Sequence, residues 1–103
     1  MNRYALTPLA KADVFEIWSY IARDNLEAAD RVNQAIYDAF ELLADGPLLG
    51  HTRRDLTTRP VRFWTLVRYP NYTIVYRTDT KPLRVVAVLH GKRNIVQILR
   101  SRV

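Results

Sequence analysis

The sequence predicts an α+β fold of order β-α-α-β-β-β, in which a helical hairpin packs on one face of a small, mainly antiparallel sheet. Two observations lead there. Apolar residues recur at helical spacing through the first half of the chain, and beyond Gly50 the period turns strand-like, with turn residues at hairpin spacing. The length of 103 residues sets the scale: one hydrophobic core can form and two cannot, so residues 1–103 are expected to make one domain.

Arg3 to Thr7 reads as a short first strand. It stops at Pro8, which suits the first turn of a helix, with Thr7 placed to cap it. From Leu9 to Ala22 the residues Ala10, Val14, Ile17 and Ile21 repeat at helical spacing. Phe15, Trp18 and Ala22 widen that stripe, and Lys11, Asp13, Glu16 and Ser19 fall elsewhere. A second helix is expected from Leu26 to Ala44, capped by Asn25 or Asp24, with Glu27 and Asp30 near its start. Its stripe is Ala29, Val32, Ile36, Phe40 and Leu43, and Asp45-Gly46-Pro47 ends it.

Three strands follow, Val61 to Val67, Tyr72 to Arg77 and Leu83 to His90. The turns Tyr69-Pro70-Asn71 and Thr78 to Pro82 join them into an antiparallel meander. Val85 to Leu89 is apolar throughout, the mark of a central strand. Ile95 to Leu99 fits either a short helix or an edge strand. Arg62, Trp64 and Arg68 alternate with Val61, Phe63, Thr65 and Val67, which predicts an open, basic face opposite the helices.

With 49% hydrophobic and 25% charged residues the chain is globular in composition. Cysteine is absent, so no disulfide or thiolate site is available. No apolar run approaches the ~18 residues that cross a bilayer, and the first residues lack a signal-peptide core. A soluble, unprocessed, cytoplasmic protein without membrane contact is expected. Charge is divided unevenly. Up to Leu48 four basic residues face eight acidic ones, net −4; from Leu49 twelve basic residues face Asp55 and Asp79 alone, net +10. Ten of those twelve are arginine, the side chain that grips phosphate or carboxylate through a two-pronged donor set.

The histidines His51 and His90 have no ligand-spaced neighbours, and the three glycines build no phosphate loop, so neither a metal nor a cofactor is expected. RNA cleavage needs less: a proton acceptor, a proton donor and cations around the phosphate. Arg62, Arg68, His90 and Arg93 are the catalytic candidates for that chemistry, with Lys92 as a further cation. The basic half nevertheless lacks a second good proton-transfer group. Trp64 is the aromatic best placed for stacking or partner contact.

Several segments, in order and spacing, resemble the ParE branch of the RelE/ParE toxin superfamily, the plasmid-stabilisation proteins. They are Asp13 to Ala22 with Asp24-Asn25, Ala28-Ala29 with Arg31, Leu43-Ala44 before Pro47 and Gly50, and Arg53-Arg54-Asp55-Leu56. Pro60 to Trp64, Tyr72 to Arg77 and Val88 to Ile95 complete the set. The resemblance covers nearly the whole chain. It implies a RelE-like fold and a toxin held inactive by a cognate antitoxin, short, acidic and ParD-like, in a hetero-oligomer. It implies DNA gyrase as the target, with Arg62, Trp64, Arg68, His90, Lys92 and Arg93 as target-binding candidates. Trp18, Arg53, Arg54 and Arg77 are the candidates for antitoxin contact, by helix-in-groove docking or strand addition. Operator DNA is expected to be reached only through the antitoxin. Two alternatives stand beside this reading: a ribosome-dependent mRNA endoribonuclease, and a non-toxic module that binds antitoxin. Asn94 departs from the family pattern, which often has Asp there.

Overall fold

Helix-start chemistry fixes the two long helices where the sequence places them. In the computed structural model, which describes residues 3–91 and 95–103, Pro8 opens α1 (Pro8–Ala22), and the Thr7 hydroxyl accepts the Ala10 N–H at 3.1 Å. Asn25 does the same for α2 (Leu26–Asp45), its side-chain oxygen accepting the Ala28 N–H at 2.9 Å. Gly46 closes α2, its N–H donating to the Leu42 carbonyl. The other elements are β1 (Tyr4–Leu6), β2 (Val61–Thr65), β3 (Tyr72–Arg77), β4 (Leu83–His90) and α3 (Ile95–Arg102). The last of these resolves Ile95 to Leu99 as helix.

The sheet has the order β1-β4-β3-β2. β2, β3 and β4 form the expected antiparallel meander, and β1 adds to β4 in parallel. β4 is therefore central. A bulge interrupts its pairing: Val75 faces Ala87 but Tyr76 faces Val85, so Val86 is the extra residue.

Both faces of this sheet are covered. Ala10, Val14 and Ile17 of α1 and Val32, Ile36, Phe40 and Leu43 of α2 pack on Ile74, Tyr76, Val85 and Val88. On the other side Leu99 of α3 packs with Val61, Phe63, Val75, Val86, Ala87 and Leu89. The expectation of an open basic face opposite the helical hairpin is thus corrected, and the facing of β2 is reversed. Val61 and Phe63 point to α3, whereas Trp64 packs against the hairpin core and Arg62 shares its face. Burial explains the reversal. The side of β2 under α3 is the drier one, so the wholly apolar pair Val61 and Phe63 takes it.

Asp13, expected on the polar side of its helix, is buried. β1 is only three residues long and pairs with β4 no further than Val85, after which the Thr7 N–H donates to the Val85 carbonyl. Beyond that point β4 has no strand on this edge among the described residues. Asp13 and Arg102 take the place of one. The Asp13 carboxylate accepts the Val88 N–H at 3.0 Å, and Arg102 donates to the Val86 carbonyl at 3.1 Å. The two side chains also join each other through two hydrogen bonds, at 2.6 and 3.2 Å. A buried carboxylate is tolerated only when paired and hydrogen-bonded in this way.

Replacing Asp13 by Ala leaves a half-buried guanidinium and a strand N–H without partners. Asp13→Ala is expected to cost about 3 kcal/mol or more and to lower the melting temperature by over ~10 °C. Chemical denaturation checks this, and a loss below about 1 kcal/mol, the scale of a surface ion pair, would show that the edge does not depend on the carboxylate.

Candidate functional site

One end of the sheet, where β3 begins and β4 ends, opens into a cleft of about 430 Å³ against α1. Tyr72 and His90 are register partners across β3 and β4. Their rings stack with centroids 5.0 Å apart and planes at 29°. Glu16 and Tyr20 approach from α1 and Arg23 from its C-cap, because spacings of four and three residues line them up on one side. Tyr20 is 65% exposed and His90 is also exposed, so the cleft has an aromatic rim open to a partner. Burial, and then the neighbouring Tyr20, pushes the Tyr72 phenol above its ordinary value. Asp13 forms part of the floor but is committed to Arg102.

The cleft supplies an imidazole, a carboxylate, two phenols and a guanidinium. That inventory differs from the sequence reading in a way that matters. Proton-transfer groups are scarce in the basic half taken alone, but α1, in the acidic half, carries Glu16 and Tyr20 to His90. The spacing of residues 16, 20 and 23 was the available signal; what it lacked was the knowledge that this helix face meets the end of β4.

The other target-binding candidates are dispersed. Arg68 lies in the β2–β3 turn, at the same end of the sheet as His90, and lines a groove between α2 and β2 with Trp64 and Val67. Trp64 is half-buried on the hairpin core. Arg62 sits toward the other end, and its guanidinium donates to the Gly50 carbonyl at 2.7 Å. Lys92 and Arg93 lie outside the described residues.

Arg62 belongs to a brace that shapes the segment between α2 and β2. The buried Tyr76 hydroxyl donates to the Pro47 carbonyl at 2.7 Å and accepts the Gly50 N–H at 2.9 Å. His51 then pairs with Phe63 through two backbone hydrogen bonds of 2.8 Å. Only glycine fits at position 50, since a Cβ there would stand 2.5 Å from the Tyr76 hydroxyl.

Among the antitoxin candidates, Trp18 lines a hairpin groove of about 350 Å³ with Phe15, Lys11, Val14, Asn33 and Tyr37. Its indole N–H donates to Asp30 at 2.9 Å and its ring stacks on Phe15, which is 68% exposed. Arg53 and Arg77 are each held by a carboxylate two residues on, Asp55 and Asp79, through paired hydrogen bonds. Those bonds hold both carboxyls below their usual range. Arg54 is exposed.

Tyr76→Phe removes both hydroxyl bonds of the brace and is expected to lower stability by about 1–3 kcal/mol. Burial raises the Tyr76 phenol above its ordinary value in the folded protein, against the opposing pull of the Gly50 N–H and Arg62. The unfolded chain therefore ionises first. The wild type is expected to hold its stability below about pH 10 and lose it above, and Tyr76→Phe to lose less of it over that rise. Urea titrations at pH 8 and pH 10.5 compare the two; equal pH dependence would remove Tyr76 as the cause.

Comparison with known proteins agrees with this architecture. A family model described as "ParE toxin of type II toxin-antitoxin system, parDE" matches residues 4–95. The candidate toxin Y4kP of Sinorhizobium fredii (strain NBRC 101917 / NGR234) is 33% identical over 97 residues, covering 94% of each chain. A solved chain of the chromosomal ParDE toxin-antitoxin system from P. aeruginosa superposes with a TM-score of 0.72 at 22% identity. That match covers 86% of this chain and 95% of the other.

Proposed function

We propose, for a chain that belongs to the ParE toxin family of type II toxin-antitoxin systems, that it arrests growth by binding DNA gyrase and is silenced by a short, acidic, ParD-like antitoxin. The observation that carries this reading is the family match over residues 4–95, which takes in all four strands and both hairpin helices. Tyr20, His90 and Arg68 gather at one end of the sheet, and Tyr and Arg are favoured anchors of protein interfaces. Lys92 and Arg93, two and three positions after His90 in the chain, are the remaining target-binding candidates.

A second reading, ribosome-dependent cleavage of mRNA, is favoured by the cleft itself, where Glu16 and Tyr20 join Tyr72 and His90. One set of assays separates the two. Micromolar toxin is expected to block supercoiling of relaxed plasmid by gyrase, and Tyr20→Ala or His90→Ala to weaken the block by about tenfold or more. If gyrase is untouched while transcripts are cut on the ribosome, and the cuts vanish in Glu16→Gln and His90→Ala, the second reading replaces the first.

The antitoxin is assigned to the hairpin groove. Strand addition on β2 is obstructed, because His51 already occupies the backbone groups of Phe63 on that outer edge. Phe15 and Trp18 offer an apolar anchor, and Lys11 beside them suits an acidic segment. Arg53 and Arg77 would have to release Asp55 and Asp79 to take part. Phe15→Glu is expected to leave the melting temperature within a few degrees of wild type and to weaken antitoxin binding at least ~30-fold, the scale of an interface hot spot. Calorimetric titration of cognate antitoxin into toxin measures it; unchanged affinity would move the interface elsewhere.

A further inference from the structure

The end of the sheet remote from His90 gathers arginines in excess of carboxylates, and the two carboxylates there, Asp55 and Asp79, are tied to Arg53 and Arg77. Val61 opens β2 there beside Arg77, its partner at the end of β3. The segment before β2 curls over this end: the N–H groups of Leu56 and Thr57 both donate to the Arg53 carbonyl, and the Thr78 N–H donates to the Pro60 carbonyl. A cleft of about 280 Å³ results. Arg53, Arg54, Arg59 and Arg62 line it. So do the hydroxyl-bearing residues Thr52, Thr57, Thr58 and Thr78, and no carboxylate among the described residues does. Arg62 and Arg53 are engaged as described, whereas Arg54 and Arg59 make no side-chain bond among the described residues.

We infer that this cleft holds a backbone phosphate of duplex nucleic acid, so that the toxin makes its own contact with the sugar-phosphate chain. Guanidinium and hydroxyl donors together are the set that proteins use for phosphate oxygens. A peptide partner would want apolar anchors, and among the described residues of the lining only Pro60 and Val61 are apolar. Unstacked single strands would want an aromatic platform, and the lining contains none among the described residues. Arg84, cross-strand from Arg77, adds positive charge outside the cleft. The contact reads backbone rather than sequence, and it revises the expectation that operator DNA is met only through the antitoxin. It is independent of whether gyrase is the target.

The test uses the full chain and a fluorescent duplex of ~20 base pairs of arbitrary sequence, with anisotropy read between about 50 and 200 mM salt. Arg54→Ala/Arg59→Ala is expected to lose about tenfold in affinity and to lower the salt slope by about two. Arg54→Lys/Arg59→Lys keeps both charges and is expected to recover most of the binding. Arg31→Ala/Arg100→Ala removes as much charge elsewhere and should stay within about twofold of wild type. Polyglutamate, an acidic peptide, is titrated in parallel, and three results would overturn the inference: no duplex binding by the wild type, equal duplex losses in the two alanine pairs, or an Arg54→Ala/Arg59→Ala protein that loses polyglutamate binding with duplex binding intact. Matched circular dichroism and melting curves exclude unfolding as the cause, since Arg54 and Arg59 are exposed and their side chains make no bond among the described residues.

Discussion

The carboxylate of Asp13 stands where a strand would otherwise have to be. β4 needs hydrogen-bond partners on both edges, and β1 serves only its first part. By accepting from Val88 and holding Arg102, which in turn donates to Val86, Asp13 completes the edge with side chains. Three elements are positioned by this one group. α1 is drawn against the end of β4, which sets Glu16 and Tyr20 beside His90; α3 is anchored over the second face; and the bulge at Val86 finds a donor for its carbonyl. A hydrophobic contact in the same place could supply adhesion, but it would leave the strand's polar groups unsatisfied.

Much of the fold was legible because its signals are local. Thr7-Pro8 and Asn25 start helices by satisfying N–H groups within three residues, and the apolar periods change at Gly50 because the geometry of the chain changes there. The facing of β2 was not legible in the same way. Both of its sides carry large apolar residues, Val61 and Phe63 on one and Trp64 on the other, so alternation alone does not say which is inward. The unbroken run Val85 to Leu89 held the needed information: a strand apolar on both sides requires cover on both faces, and that cover is α3. Asp13 sits on the apolar stripe, three residues after Ala10 and four before Ile17. Its burial becomes intelligible only once Arg102, 89 residues away, is brought to it. The candidate site was half visible. His90 and Arg68 could be placed at a strand end and a turn, but the contribution of α1 is a tertiary fact.

The net charge of +10 in the second half proves to be divided by use. Arg62 fastens a loop to the sheet, Arg102 closes an edge, and Arg53 and Arg77 are tied to nearby carboxylates. What remains for a partner is a smaller set, distributed over two ends of the sheet that differ in character. One end is aromatic with mixed charge; the other is a pocket lined chiefly by arginine and threonine. A count of basic residues overstates the electrostatic surface of a protein that uses arginine as internal scaffolding.

The pairing of Asp13 with Arg102 also orders events in time. Consecutive helices such as α1 and α2 can meet as soon as both have left the ribosome, but the sheet edge waits for a residue 89 positions later. Nascent chains therefore carry an unclosed β4 edge until Arg102 has emerged. The groove between α1 and α2, by contrast, is built from residues 11 to 37 alone and can take shape before that edge is closed.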